Sequence, residues 1–372
     1  MKIKDIISFC ALAILIMAGC SKVEHNPSPS PRPSEGVEWL YDVNLPVPIL
    51  FGSGKVLSKA PVTSVDDLAD KTLGVFAVDK DADRWAVADG TVYLNDESAH
   101  YDPATGSIGF GASPAEPTTN YYPAESDINL DFYAYHPKVT DATEVRSDII
   151  TVSVPLGTSD ILWAKAVAQD ISVDGKLYRG FNAEYIRKFP EVENRPRFEF
   201  SHPASAIRFR IVKTESSGSR VIHSSALTLK NMAQTADLCV AAKGSAQVQP
   251  GTLIDDRSQR RDLTVNAAPT LTLTNEKQIL CYVFLLPESS RKVVEGEIVL
   301  NNNTSVPFTI DLDELGAIVE GFQPGYAYNI LLTVDERLNV SVSADVKKVP
   351  EVEVGGKVGS EDFEDAFFDI EV

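Results

Sequence analysis

From Val37 to Phe51 (VEWLYDVNLPVPILF) every odd position is apolar: Val37, Trp39, Tyr41, Val43, Leu45, Val47, Ile49 and Phe51. The even positions carry Glu38, Leu40, Asp42, Asn44, Pro46, Pro48 and Leu50. A period of two predicts a strand with one buried face, because successive side chains of extended backbone point to opposite sides. Pro46 and Pro48 have no N–H to give a ladder, so the strand is expected at a sheet edge or paired on one side only. On pattern alone it is the first strand of a sandwich.

Beyond residue 51 the chain reads as short β-branched and aromatic runs divided by turn residues. They include TLGVFAV, INLDFYAYHP, DIITVSVPL, DILWAKAVA, RFEFSHPASAIRFRIVK, SSALTLKNM, QILCYVFLLP, EGEIVL, YAYNILLTVD and LNVSVSADV. The runs are closely spaced, with no long 3.6-residue period and no short-period repeat. The fold class is therefore all-β, built as sandwiches. One short helix is expected at TSVDDLAD, where Ser64, Asp66 and Asp67 offer capping groups. Gly52, Gly54, Lys55 and Lys59-Ala60-Pro61 read as a flexible, basic link. The length of 372 residues suits two domains. The charged, proline-marked stretch AEYIRKFPEVENRP puts their boundary near residue 190.

The N-terminus is of another kind. Lys2 and Lys4 precede the apolar run Ile6 to Met17, which falls short of the roughly 20 residues a permanent spanning helix needs. This is the pattern of a secretory signal. An ordinary cleavage site reads small-x-small, whereas Met17-Ala18-Gly19-Cys20 resembles the lipobox of bacterial lipoproteins, with Met17 where leucine is usual. That resemblance implies cleavage after residue 19 and acylation of Cys20. Each buried methylene contributes roughly 0.8 kcal/mol, so two or three acyl chains hold a protein on a bilayer stably. Residues 20–36, rich in Pro and Ser, form a semi-extended tether.

Charge narrows the partners. The chain has 34 Lys+Arg against 53 Asp+Glu, a net −19, and loss of residues 1–19 (with Lys2, Lys4 and Asp5) makes it −20. An acidic surface repels nucleic-acid phosphate and anionic lipid, so no nucleic acid is expected and membrane attachment falls to the acyl chains. Of four cysteines, Cys239 and Cys281 remain beside apolar neighbours, as buried thiols or as a disulfide permitted by export. No CxxC spacing exists to hold zinc. Asp79, Asp81 and Asp83 alternate as in a calcium loop. Arg84 and Gly90, however, stand where an EF-hand needs its glycine and its bidentate glutamate, so an acidic surface loop is the better reading. FGSGK fails the P-loop spacing. His25, His100, His136, His202 and His223 are scattered, and no GxSxG elbow occurs. No catalytic site and no cofactor is expected.

Several stretches, in order, resemble the fimbrillins, the subunits of type V pili of bacteria with two membranes. They are the lipobox, Ser58–Val78, LDFYAYHP (Leu130–Pro137), DILWAK (Asp160–Lys165), FEFSHPASAIRFRI (Phe198–Ile211) and Gly321–Val346. The resemblance implies two transthyretin-like β-sandwich domains in tandem, residues 37–190 and 191–372. It implies export to the outer membrane as a lipoprotein, then a trypsin-like cut near the start. Lipid and first strand leave, and an extended segment of the next subunit fills the groove. The family's cut follows arginine before a small residue; here Lys59-Ala60 occupies that place. Residues 37–59 would be the removable strand and linker.

The eight apolar side chains of that strand would contribute roughly 12–24 kcal/mol gross. Ordering its residues at roughly 1–2 kcal/mol each is of similar size, so a severed strand is replaceable. A replacement is at hand: Phe368, Ile370 and Val372 alternate with Asp369 and Glu371, and Gly355-Gly356 would let residues 347–372 swing as a donor arm. Equally, those residues suit a closing strand or a frayed acidic tail. The expected partners are other fimbrial subunits and a host or bacterial surface ligand. Two rival roles are an anchor or accessory fimbrillin that keeps its lipid, and a surface adhesin or glycan-binding module.

Overall fold

In a computed structural model the described residues are 38–52, 55–56, 68–69, 71–125, 127–166, 168, 170–214, 221–255, 260–301, 303–314 and 320–348. The fold is all-β, with one short α-helix, Ala183–Lys188, among the described residues.

A five-stranded sheet lies at the centre of the N-terminal half, in the order Ser107–Phe110, Val92–Asp102, Thr72–Asp79, Leu130–His136, Leu162–Ala166. All its pairings are antiparallel. Its two middle strands are buried almost end to end, because both faces of the sheet are covered. Strands buried on both faces read as continuous apolar runs rather than as alternation. That accounts for LGVFAV and LDFYAYH.

One face of this sheet, with Phe76, Val78, Tyr133 and Tyr135, packs against a second sheet through Ile150, Val152, Val154, Leu238 and Val240. That second sheet runs Leu253–Ile254, Thr235–Ala242, Ile149–Pro155, Thr143–Val145. Thr235–Ala242 comes from beyond residue 190 and pairs with Ile149–Pro155 from before it, so both halves of the chain build this layer. The opposite face, with Val75, Leu94, Ile108, Phe110, Phe132 and Ala164, is covered by Trp39, Val47, Ile49 and Phe51, by Tyr185 and Ile186 of the helix, and by Phe198 and Phe200. The first segment of the fold is therefore part of a lid.

The C-terminal half holds two further four-stranded sheets about one core. One is ordered Gln278–Leu285, Ser205–Lys213, Tyr326–Val334, Val340–Lys348, and the other Arg261–Thr272, His223–Met232, Val293–Leu300, Thr304–Asp311. Ile207, Phe209 and Ile211 point into that core while Arg208 and Arg210 take the other face, the alternation expected of a one-sided strand.

Of the two states open to Cys239 and Cys281, the structure has free thiols, and burial pushes both up to about 12. One expectation needs correction. Lys55–Val56, expected as part of a flexible link, instead pairs in parallel with Glu199–Phe200, which gives its backbone groups hydrogen-bond partners.

Packing under the two-faced sheet is tight at Gly74, where a Cβ would lie 2.0 Å from the Tyr135 ring. Gly74→Ala is expected to lower stability by about 1–3 kcal/mol. Gly244→Ala, with nothing within 4 Å of its Cβ position, should be neutral or slightly stabilising. Urea-unfolding midpoints of the two variants check the pair.

Candidate functional site

The first segment does not follow its sequence pattern throughout. Glu38–Leu40 form a single 3-10 turn. Asp42 then closes a local turn: its carboxylate accepts from the Asn44 backbone N at 2.9 Å and from Asn44 Nδ2 at 3.0 Å, and Leu45 N donates to Asp42 O at 3.2 Å. Asp is prone to such side-chain-to-backbone turns, which interrupt an extended run. The predicted strand over 37–51 is thus wrong from Glu38 to Pro46. Tyr41, Val43 and Leu45 are 68%, 76% and 38% exposed, not buried. Among the described odd positions Trp39, Val47, Ile49 and Phe51 enter the core, and Leu40 packs partly buried against it. The apolar gain falls accordingly, to roughly 6–12 kcal/mol gross for four buried side chains.

From Val47 the segment is extended and sits in a groove. Ile49 N donates to Asn120 O at 2.8 Å and Tyr122 N to Val47 O at 2.9 Å, flanking an antiparallel bridge between Pro48 and Tyr121. In that arrangement the Pro48 nitrogen faces away from the partner, so its missing N–H leaves the bridge intact. Phe51 inserts among three rings, at 4.9 Å from Phe198, 5.2 Å from Phe110 and, edge-on, 5.6 Å from Phe132. Such tilted and edge-to-face pairs add about 0.5–1.5 kcal/mol each beyond area burial. Gly52 N then donates to Pro196 O at 2.9 Å. A cleft of about 370 Å³ opens beside Ile49–Gly52, walled by Ile108, Phe110, Val192 and Arg195. Beneath the segment Tyr122 stacks edge-on against Phe132. Its buried hydroxyl has no hydrogen-bond partner among the described residues, and burial pushes its pKa up.

One side chain clamps the segment from outside. Asn182 caps the helix Ala183–Lys188, its Oδ1 accepting from Tyr185 N at 2.7 Å, while its Nδ2 donates to Asn129 Oδ1 at 2.8 Å. So anchored, the helix buries Tyr185 and Ile186 and turns Arg187 toward the first segment. The Arg187 guanidinium donates to three main-chain carbonyls: Trp39 O at 3.1 Å, Val43 O at 3.3 Å, and Leu45 O. A planar fork with five donors suits such multiple contact. Sequence composition marks this region as a domain boundary and gives no sign of the clamp. Asn182, Glu184 and the basic pair Arg187-Lys188 form a legible capping pattern for a short helix, but nothing local shows that Arg187 reaches back to residues 39–45.

Cys20, Val37, Lys59, Ala60, Phe368, Ile370 and Val372 lie outside the described residues. Asp81, of the acidic loop, accepts from Asn129 Nδ2 at 2.8 Å, and no group of three His, Cys, Asp or Glu among the described residues is arranged to hold a metal.

Arg187→Ala is expected to loosen the first segment without unfolding the protein. Loss of a set of charge-assisted hydrogen bonds costs about 1.5–3 kcal/mol, so hydrogen-exchange protection at the Ile49, Gly52 and Tyr122 amides should fall roughly 10- to 100-fold. Amides of Leu130–His136 should keep theirs.

A family model described as fimbrillin-like matches residues 63–348. Among solved structures, a candidate cell adhesion protein from Bacteroides uniformis is similar at 15% identity and a TM-score of 0.49, with 82% of this chain and 99% of that one covered. A fimbrial protein from Bacteroides vulgatus is similar at 13% identity and a TM-score of 0.45, covering 80% and 99%. No curated protein matches the chain. The family match spans well over half of the sequence, so the chain belongs to the fimbrillin-like family.

Proposed function

We propose that this fimbrillin-like chain is a fimbrial subunit that polymerises by strand exchange. It is exported as a lipoprotein acylated at Cys20 and held at the outer membrane. A cut between Lys59 and Ala60 frees everything before it, including Trp39–Gly52 and the short strand Lys55–Val56. The vacated groove exposes Phe110, Phe132 and Phe198, the Asn120–Tyr122 backbone and one side of Glu199–Phe200. An alternating segment of another copy, with Phe368, Ile370 and Val372 as its inward row, refills it. A fimbrillin-like protein is a non-enzymatic component of the cell-surface fimbrium and assembles with other fimbrial subunits; lipidation, cleavage and exchange are the added steps.

The observation that carries this reading is how the first segment is attached. It fills an aromatic groove with four side chains, yet it bonds to the rest through a short set of backbone contacts and one arginine. Among the described residues no strand crosses it, and its Asp42–Leu45 turn is exposed. Such a piece can leave with the loss of only the two-residue pairing of Lys55–Val56 with Glu199–Phe200, while the four- and five-stranded sheets keep all their strands. An open groove left behind is a ready template for strand addition.

A second reading keeps the lipid. The expected cleavage position carries lysine where the family's cut follows arginine. A protease that demands arginine would leave the chain tethered, as an anchor for the fimbrium.

N-terminal sequencing of protein sheared from cells decides between them. A start at Ala60 is the expected result. A blocked Cys20 on every recovered molecule supports the anchor and refutes polymerisation. Removing Asp365–Val372 should abolish filaments while leaving the monomer folded; filaments of normal length would refute the donor.

A further inference from the structure

In a protein of net charge −19, guanidinium groups are expected to find carboxylates. Around the first segment three do not. Arg187 gives its donors to the carbonyls of Trp39, Val43 and Leu45. The side chains of Arg195 and Arg197 make no hydrogen bond or ion pair with any described residue. Arg195 walls the 370 Å³ cleft beside Ile49–Gly52 and also a second cleft of about 540 Å³, which it shares with Arg197 and Lys165. The Arg197 side chain lies over Gly52, where a Cβ would come within 2.8 Å of its Cγ. Glu193 and Glu199 line the second cleft, yet neither forms an ion pair with these arginines. Arg195 is also the cation whose charge is felt at the buried, unpartnered hydroxyl of Tyr122.

The resident segment offers this rim almost nothing. Between Trp39 and Gly52 the only charged residue is Asp42, which is turned onto Asn44. The segment Glu361–Val372 (EDFEDAFFDIEV) is the reverse: it carries Glu361, Asp362, Glu364, Asp365, Asp369 and Glu371 with no basic residue, and ends in apolar–acidic alternation. An extended strand puts Phe368, Ile370 and Val372 on one face and Asp369 and Glu371 on the other.

We infer that the groove is a receptor for an acidic strand, and that its ligand is Glu361–Val372 of a second copy. Phe368, Ile370 and Val372 enter the aromatic floor, while carboxylates of the same strand pair with Arg195 and Arg197. Departure of the first segment strips Arg187 of its three carbonyl acceptors and adds it to the rim. The exchange therefore replaces a nearly neutral occupant by an anionic one, which favours the newcomer and gives the reaction a direction. The rim also supplies local attraction between two molecules whose overall charges repel. This inference rests on the strand-exchange reading above and adds to it the basis of selection.

The test uses the full chain with residues 57–60 replaced by a site-specific protease sequence, cut in place. A fluorescent Glu361–Val372 peptide is added, and beside it a peptide with every Asp and Glu changed to Asn and Gln. The acidic peptide should bind the cut protein more tightly, and its affinity should fall steeply between about 20 mM and about 0.5 M salt. Arg195→Gln with Arg197→Gln should weaken it about tenfold and leave the amide peptide unchanged, which also shows that the variant is folded. Equal binding of both peptides, insensitive to salt, overturns the electrostatic selection while strand exchange stands. Binding of neither peptide to the cut protein overturns strand exchange and this inference together.

Discussion

The central strands Thr72–Asp79 and Leu130–His136 are apolar on both faces, so their sheet must be covered twice. One cover is a second sheet, tied in by continuous backbone pairing from both halves of the chain. The other is assembled from pieces: a six-residue helix, the run Phe198–Phe200, and the first segment with Phe51 at its centre. Hydrophobic burial is non-directional and asks only that water be excluded. A cover made of pieces can therefore have one piece exchanged, provided the replacement brings comparable apolar surface. The sheet beneath need not change.

Most of what orients the first segment addresses its main chain. Asn120 O, Val47 O and Pro196 O form backbone bonds, and Arg187 reaches carbonyls of three residues. Backbone groups are common to every sequence, so such contacts hold a strand in register without demanding particular side chains. Side-chain demands are confined to the floor, where Phe110, Phe132 and Phe198 accept one aromatic ring. Register comes from the backbone and preference from a few pockets, a division shared by other modes of strand addition.

The all-β class was legible because short apolar runs broken by turn residues leave no room for long helices. Four of the eight apolar positions in 37–51 were correctly read as core: Trp39, Val47, Ile49 and Phe51. The failure at Tyr41, Val43 and Leu45 has a local cause. Period-two alternation says which side chains would share a face if the backbone were extended, and Asp42 folds its own backbone instead. The runs FYAY and VFAV lack alternation, which fits burial on both faces, but so short an apolar run does not say what covers the second face. Arg187 was invisible for another reason: its contacts lie more than 140 residues away along the chain, and sequence spacing holds no information about such reach. The arginines at 195 and 197 read as ordinary charges in a boundary, and only the absence of an ion pair with the Glu193 and Glu199 that share their cleft sets them apart.

Pro48 faces its nitrogen outward from the Tyr121 bridge, and Pro46, two residues earlier, also lacks an N–H. The free border of the resident segment is therefore short of donors, and a passing chain finds little there to continue a ladder. On the strand-exchange reading proposed above, a molecule that still holds this segment offers a further chain few backbone donors at that edge. The proposed replacement, Glu361–Val372, contains no proline, so on the same reading it would bring back the donors that Pro46 and Pro48 lack. On that reading Pro46 and Pro48 alone would delay growth until the segment departs.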